Sequence, residues 1–189
     1  MRVGLYFGSF NPIHNGHLLI ANYAATETTL DQVWFVVSPQ NPFKQEKTLL
    51  NEYHRLHLIS LALEGETRLK ASNVEFSLPK PSYTCDTLIY LIERYPTYEF
   101  SIIMGSDGFQ NLTKWKNYQT LIENHKIYIY KRSGFEVTET FGAQLQILEA
   151  PLLDISSTQI RKRILDKKSI RYWVPDVVKN EIEIAGYYK

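Results

Sequence analysis

The chain has 189 residues, of which 44% are hydrophobic and 13% aromatic, and its formal net charge at pH 7 is +1. A chain of this length and apolar content can bury one sizeable core, so we expect a single domain over residues 1–189. The near-neutral charge argues against a protein whose main task is to coat nucleic acid, because such proteins usually show a basic excess. The expected ligands are therefore small molecules.

The only cysteine, Cys85, excludes an internal disulfide and fits a reducing compartment. No apolar run approaches the roughly 20 residues that a membrane helix needs, and the first residues lack a secretory signal pattern. We therefore expect a cytoplasmic protein without a membrane partner. The sequence leaves a homo-oligomer open.

Residues 3–7 form a short apolar run, typical of a buried parallel strand. Gly8, Pro12 and Gly16 mark the turn that follows, and from about Asn15 apolar residues recur at helical spacing. At such a junction of strand, loop and helix, the free backbone N–H groups and the positive end of the helix dipole favour a bound phosphate.

Two histidines, His14 and His17, stand at positions i and i+3 at the start of this helix. Side chains with this spacing project from neighbouring positions, so both imidazoles can donate to one bound group. Two alternatives stay open. The pair could ligate a metal, although no third ligand stands close by and the spacing is not that of a zinc helix. The two side chains could also simply cap and pack.

The stretch GSFNPIHNGH, residues 8–17, resembles the signature of the HxGH nucleotidyltransferase superfamily. In that superfamily the two histidines steady the triphosphate during nucleotidyl transfer. Variants of the signature also occur in cytidylyltransferases, pantetheine-phosphate adenylyltransferases and class I aminoacyl-tRNA synthetases. Further motifs are therefore needed to choose among these families.

A second apolar run over residues 32–37 predicts another buried strand, and the intervening helix makes a right-handed βαβ unit with a parallel sheet. The loop over residues 38–44 leaves the carboxyl end of this strand, where open α/β sheets bind ligands. Members of the family that the sequence resembles often have a histidine at the position of Phe43. Lys44 is then the charged candidate in the loop, either as a phosphate contact or as a solvated lysine.

The rest of the chain continues the alternation of strands and helices. A helix capped by Asn51 is predicted over residues 51–63, with His54 and His57 as ordinary helix residues. Further strands are predicted over 69–76, 99–104, 126–130 and 144–149, and the last helix lies within 172–182. We expect an α/β fold with a Rossmann-like doubly wound parallel sheet, formed by a core over 1–150 and a small helical C-terminal portion over 151–189.

The segment SYTCDTL, residues 82–88, predicts a helix start after a proline-rich loop. Its local explanation is a cap by Ser82 or Thr84, with Asp86 in the first turn. The segment also resembles a motif of nicotinate mononucleotide adenylyltransferases, in which backbone amides at this helix start hold the carboxylate of the pyridine. The resemblance implies that Tyr83 and Thr84 bind substrate.

The segment GSDGFQNLTKW begins at Gly105, which permits a ligand to approach the backbone closely. Asp107 can accept from ribose hydroxyls or cap a helix, and Trp115 can stack on an aromatic ring or fill the core. The spacing resembles that of the same family. There the aspartate contacts the mononucleotide and the tryptophan stacks on the nicotinate ring.

The segment ISSTQIR, residues 155–161, resembles the second signature of the superfamily, at the place where a class I tRNA synthetase would have a lysine-rich loop. Ser156 and Ser157 are candidate helix caps, and their hydroxyls, the free amides and Arg161 can also surround a phosphate. The other basic residues that follow are expected to form a solvated helix face.

Together these motifs imply an enzyme of NAD biosynthesis that transfers the adenylyl group of ATP to nicotinate mononucleotide, giving nicotinate adenine dinucleotide and pyrophosphate. The implied catalytic residues are His14, His17 and Arg161. The implied ATP-binding residues are Gly8, Ser9, Phe10, His14, His17, Gly105, Asp107, Ile155, Ser156, Ser157, Thr158 and Arg161. The implied substrate-binding residues are Asn11, Lys44, Tyr83, Thr84, Asp107 and Trp115. Mg²⁺ is expected to arrive with ATP, without a protein site of its own. A nucleotide sensor without turnover and an adenylyltransferase for another acceptor are the rival functions.

Overall fold

The computed structural model describes residues 1–40 and 49–189. Its strands are β1 (Arg2–Gly8), β2 (Gln32–Val37), β3 (Leu69–Ser72), β4 (Glu99–Gly105), β5 (Ile127–Tyr130) and β6 (Leu145–Leu148). They form a six-stranded sheet in the order β3-β2-β1-β4-β5-β6, in which every neighbouring pair is parallel. The strand order reverses between β1 and β4, and open α/β sheets bind ligands in the crevice at such a reversal.

The helices are α1 (Asn15–Glu27), α2 (Glu52–Ala62), α3 (Thr84–Arg94), α4 (Ser106–Phe109), α5 (Tyr118–Asn124), α6 (Ser157–Leu165) and α7 (Asp176–Ala185), and short 3₁₀ turns cover Val74–Ser77 and Leu112–Lys114. None of the helices in the described part of the chain is both long and apolar enough to cross a membrane.

Both faces of the sheet are covered, because neighbouring strand residues belong to two different hydrophobic clusters. Tyr6 and Ile103 pack with α1, α2, α6 and α7, whereas Leu5 and Ile102 pack with α3 and α5. This alternation follows from the two-residue period of a strand, and it explains why the strands are almost continuously apolar. The prediction of a doubly wound parallel sheet is confirmed.

The C-terminal helices predicted over residues 151–189 pack on the same core as the first βαβ unit. Ile160 of α6 and Val178 of α7 belong to the cluster that contains Tyr6. The α2 helix contacts the C-terminal segment through His54, whose Nδ1 lies 2.9 Å from the hydroxyl of Tyr187. His54 and His57 are both exposed, and His57 lies 3.5 Å from Glu181 of α7, as expected of ordinary helix residues.

One predicted strand is wrong over half of its length. The strand expected over residues 69–76 ends at Ser72, and Val74–Ser77 forms a 3₁₀ turn instead. The turn carries the carboxyl group of Glu75 into the interior, where the hydroxyls of Ser82 and Thr87 donate to it. A buried carboxylate needs such donors, and a continued strand would not supply them.

Helix caps were predicted with mixed success. Asn51 accepts a hydrogen bond from the backbone of Tyr53, and Ser156 forms a capping box with Gln159, so both predicted caps are confirmed. The predicted cap of α3 by Ser82 or Thr84 is wrong, because Tyr83 occupies the N-cap position and its side chain makes no capping hydrogen bond.

Candidate active site

A cavity of about 360 Å³ lies where the carboxyl ends of β1 and β4 diverge. Most of the predicted site residues line it, although they come from four separate parts of the chain. These residues are Gly8, Ser9, Phe10, His14, His17, Tyr83, Thr84, Gly105, Asp107, Trp115, Ser156, Ser157, Thr158 and Arg161.

Two of the described site residues predicted from the sequence do not line this cavity. Ile155 lines a smaller adjoining cavity of about 100 Å³, which shares His14 and His17 with the larger one. Asn11 is fully buried, and its side-chain oxygen accepts from the backbone N–H of Leu50 at 3.2 Å. Lys44 lies outside the described residues.

His14 is the N-cap residue of α1. Its Nδ1 accepts a hydrogen bond from the backbone N–H of His17 at 3.3 Å, and the side chain is 4% exposed. Burial, assisted by the positive charge of Arg132, lowers the pKa of His14 to about 3. The ring is therefore neutral at pH 7, and because Nδ1 accepts, the proton must lie on Nε2.

His17 stacks on His14, with ring centroids 3.6 Å apart and planes inclined by 22°. Phe10 makes a T-shaped contact with the His17 ring, with centroids 5.1 Å apart. Phe10 adopts a left-handed backbone conformation with φ of 45°, which is rare for a bulky residue. Gly8 makes room for this, because a Cβ there would lie 2.9 Å from the Phe10 ring.

The second signature is hydrogen-bonded to the first. Arg161 donates from Nη1 to the carbonyl of Asn11 at 2.7 Å, and the Ser157 hydroxyl donates to the carbonyl of Pro12 at 2.8 Å. The N-terminus of α6 is thereby held against the loop that leads into α1. The N-termini of α1 and α6 border the same cavity, and the positive ends of two helix dipoles favour a polyanion there.

The end of β4 brings Asp107 to the cavity, where its carboxylate lies 3.6 Å from Nε of Arg132. Gly105 allows this position, since a Cβ there would overlap the Asp107 carboxylate. The capping alternative for Asp107 is wrong, because Gly105 is the N-cap residue of α4. Asp107 is thus free of a capping bond.

The far end of the cavity is formed by the start of α3 and by Trp115. Trp115 is half-buried, and it both packs against the apolar cluster beneath α3 and lines the cavity. The ammonium group of Lys116 lies 4.8 Å from the centre of the Tyr83 ring. This end therefore combines a flat indole, an uncapped helix start and a cation.

Comparison with known proteins places the chain in a family. The sequence matches the family model described as cytidylyltransferase-like over residues 5–163. A relative from Flavobacterium psychrophilum is 49% identical and one from Flavobacterium johnsoniae is 46% identical, each covering the whole of both chains, and both are named "Probable nicotinate-nucleotide adenylyltransferase". The chain belongs to the nicotinate-nucleotide adenylyltransferase family.

One solved structure shares the architecture of this chain. The nicotinic acid mononucleotide adenylyltransferase of Plasmodium falciparum, complexed with NaAD, superposes with a TM-score of 0.85, covering 99% of this chain and 97% of that chain. Its sequence identity is 20%, so the likeness concerns the fold. The Rossmann-like fold inferred from the motifs is thereby confirmed.

Several residues that line the cavity were not predicted from the sequence. Arg132 follows β5 as Asp107 follows β4, and since β4 and β5 are parallel neighbours, their carboxyl ends had to bring these two residues together. Glu75 and Ser82 carried no comparable signal. Glu75 lay within the strand predicted over residues 69–76, and Ser82 was a candidate only for the cap of α3.

Proposed function

We propose that this chain transfers the adenylyl group of ATP to nicotinate mononucleotide, releasing pyrophosphate and forming nicotinate adenine dinucleotide for NAD biosynthesis. The observation that carries the proposal is the continuity of one cavity from the stacked histidines and the start of α6 to the start of α3 and Trp115. One end suits a triphosphate and the other suits an anionic aromatic ring. The names of the two Flavobacterium relatives support the same reaction.

The reaction needs no protein nucleophile. An ionised phosphate oxygen of the mononucleotide attacks the α-phosphorus of ATP, the new P–O bond forms, and the bond to the β-phosphate oxygen breaks as pyrophosphate leaves. The protein then has to align the two phosphates and stabilise the charge that develops between them. Groups that donate hydrogen bonds from fixed positions perform both tasks.

The histidines and Arg161 are the proposed catalytic groups. His14 donates from Nε2 as a neutral ring, because its Nδ1 is engaged by the start of α1. His17, stacked against it, donates to the same triphosphate. Arg161 and the amides and hydroxyls of residues 156–158 stabilise the departing pyrophosphate, which carries the largest negative charge.

The remaining residues orient the two substrates. Asp107 accepts from ribose hydroxyls, and Trp115 stacks on the pyridine. The amides at the start of α3, near Tyr83 and Thr84, bind the carboxylate of the ring. Gly8, Ser9, Phe10, Gly105 and Ile155 contact ATP, and Asn11 and Lys44 stay substrate-binding predictions.

Members of this class generally use a divalent metal, and we propose that Mg²⁺ enters with ATP. The described residues contain no group of three or more His, Cys, Asp or Glu side chains that could hold a metal ion. In this proposal the phosphates of ATP would hold the metal, and the metal would neutralise part of their charge. A cytoplasmic location and the single-domain organisation belong to the same proposal, and the oligomeric state stays open.

Product analysis tests the proposed function. The purified protein is mixed with Mg²⁺, either ATP or CTP, and one acceptor from a panel: nicotinate mononucleotide, its amide, and phosphopantetheine. We expect pyrophosphate and nicotinate adenine dinucleotide in equal amounts with ATP and the acid. Release of pyrophosphate with a new diphosphate product only when phosphopantetheine is the acceptor, or only with CTP, would assign another acceptor or another nucleotide. Binding of ATP without pyrophosphate from any pair would support the sensor alternative.

A further inference from the structure

Glu75 is a buried carboxyl group in the wall of the active-site cavity for which the proposed chemistry has no use. It is 2% exposed and belongs to the 3₁₀ turn that follows β3. Burying a carboxyl group is unfavourable unless hydrogen bonds compensate it, so its partners indicate what it does.

The partners of Glu75 all belong to segments that border the proposed acceptor end of the cavity. The hydroxyl of Ser82 donates to Oε2 at 2.6 Å, and the hydroxyl of Thr87 donates to Oε1 at 2.9 Å. The side chain of Ser38, at the end of β2, is a third partner. Ser82 and Thr87 flank the N-cap of α3, one on each side. A single carboxyl group therefore holds both ends of the first turn of α3.

The first turn of α3 has no side-chain cap of its own to fix its position. The N-cap residue, Tyr83, makes no side-chain capping bond, and a loop with two prolines, Pro79 and Pro81, precedes it. The first amide groups of a helix have no partner within the helix, and their direction depends on where the turn is held. Here Glu75 supplies that support from a neighbouring segment.

We propose that Glu75 is a positioning residue that sets the affinity for the acceptor and its preference for an acid over an amide, by aiming the N–H groups at the start of α3. This inference rests on the proposed function, because it concerns the pyridine end of the same cavity. Glu75 acts through Ser82 and Thr87 and does not contact the phosphates. Loss of Glu75 should therefore raise KM for the acceptor and have little effect on KM for ATP.

The first test is the isosteric change Glu75→Gln, which keeps the size of the side chain and one acceptor oxygen. Losing one charge-assisted hydrogen bond corresponds to about tenfold in binding. We expect KM for nicotinate mononucleotide to rise about tenfold and the acid-to-amide ratio of kcat/KM to fall by a similar factor, while KM for ATP changes less than twofold. An equal rise of both KM values, or no change in either, would overturn the inference.

Threonine variants provide a matched control for simple destabilisation. The hydroxyl oxygens of Thr87 and Thr28 each lie near the carbonyl of the residue four positions earlier, 3.2 Å from Tyr83 and 2.6 Å from Ala24, but the Thr87 hydroxyl donates its proton to the nearer oxygen of Glu75. Thr87→Val should raise the acceptor KM about threefold to tenfold, and Thr28→Val should leave it unchanged at a comparable loss of Tm. Equal acceptor KM values in the two variants would mean that Glu75 is only structural.

A double variant tests whether Glu75 and Thr87 act through the same hydrogen bond or independently of each other. Because Glu75 and Thr87 are proposed to act through one hydrogen bond, Glu75→Gln with Thr87→Val should raise the acceptor KM little more than Glu75→Gln alone. Multiplication of the two single effects would contradict the proposal. A wild-type protein that makes no dinucleotide from nicotinate mononucleotide would overturn the proposed function together with this inference. An active wild type with an unaltered Glu75→Gln variant would overturn this inference alone.

Discussion

The rings of His14 and His17 stack at 3.6 Å, and the backbone N–H of His17 donates to Nδ1 of His14. His14 therefore caps the helix through Nδ1, and its Nε2 can still donate to a ligand. The cap fixes which nitrogen of His14 carries the proton, and the stack fixes where His17 lies. The capping alternative considered for these histidines and the proposed phosphate role are thus compatible, since they use different nitrogens of His14.

His17→Ala should reduce kcat by about 10²-fold or more, the effect expected when one donor to developing charge is lost. The dissociation constant for ATP should change much less, because the hydrogen bond tightens as charge builds on the transferring phosphate. Single-turnover rates and ATP titrations measure the two quantities separately. His57→Ala, on α2 beside Glu181, is the control and should keep wild-type kcat. A near-normal kcat in His17→Ala would remove this residue from the mechanism.

The low pKa of His14 predicts a specific acid sensitivity of the fold. In the unfolded chain the pKa is near 6.5, and in the folded protein burial lowers it to about 3. Between these values the unfolded state binds the extra proton, so His14 destabilises the folded state progressively as pH falls below 6.5. From pH 7 to pH 5 this amounts to about 2 kcal/mol of unfolding free energy.

A variant that caps without titrating isolates this contribution. Serine is a good N-cap residue, so His14→Ser keeps an acceptor for the backbone N–H of His17. Urea unfolding at pH 7 and pH 5 should show a loss of stability in the wild type that is larger by about 2 kcal/mol than in His14→Ser. The raised pKa of the buried Glu75 acts in the opposite direction, but it is present in both proteins and cancels. Identical pH dependence in the two proteins would contradict a neutral, buried His14.

The sequence predicted the elements that depend on continuous apolar runs and the motifs that depend on local spacing. The bounds of β2 were predicted without error, and the first and second signatures meet at the cavity because both follow strand ends or start helices. Residues 73–76 were misassigned, since the whole run LKASNVEF is compatible with a strand, and burial of Glu75 becomes favourable through the hydroxyls of Ser82 and Thr87 and the side chain of Ser38. Partners that lie so far along the chain leave no local signal.

Contacts between residues that are distant in the sequence also explain why Trp115 was predicted only in part and Arg132 was missed. Trp115 was left between stacking and core packing, and the structure places it in both environments, half-buried and in the cavity wall. Spacing alone does not tell how much of an indole a neighbouring helix covers. Arg132 was missed because it follows β5 in an irregular segment, although the parallel order of β4 and β5 brings it within 3.6 Å of Asp107.

Trp115→Ala should raise KM for nicotinate mononucleotide and leave KM for ATP nearly unchanged. Stacking of a base on an aromatic side chain contributes about 1–3 kcal/mol, which corresponds to roughly fivefold to 150-fold in affinity. Trp115→Phe keeps a flat ring and should recover most of this loss. Steady-state kinetics with each substrate varied in turn provide the measurement. Equal damage to both substrates, together with a large fall in Tm, would assign Trp115 to the core.

Asp107→Ala should impair nucleotide binding without unfolding the protein, because Asp107 makes no capping bond and its ion pair with Arg132 is partly exposed. We expect KM values for the nucleotides to rise about tenfold, the effect of losing a charge-assisted acceptor for a hydroxyl. Asp31→Ala is the control, since Asp31 forms a similarly exposed ion pair with Arg2. A collapse of Tm in Asp107→Ala but not in Asp31→Ala would instead assign Asp107 a structural role.

The last prediction concerns the choice of acceptor, in which the acid should be preferred over its amide. A carboxylate at the start of α3 accepts from backbone N–H groups and lies at the positive end of the helix dipole, and the nearby ammonium group of Lys116 adds attraction. The amide presents an NH₂ group to donors, and each buried unsatisfied group costs about 1–3 kcal/mol. Together with the lost charge-assisted bonds, this predicts a ratio of kcat/KM of about 10² or more in favour of the acid.

Lys116→Met should lower the ratio only modestly, since the exposed lysine also pairs with Asp86. Equal values of kcat/KM for the two acceptors in the wild type would mean that a cavity group accepts from the amide, and the enzyme would then use both pyridine mononucleotides.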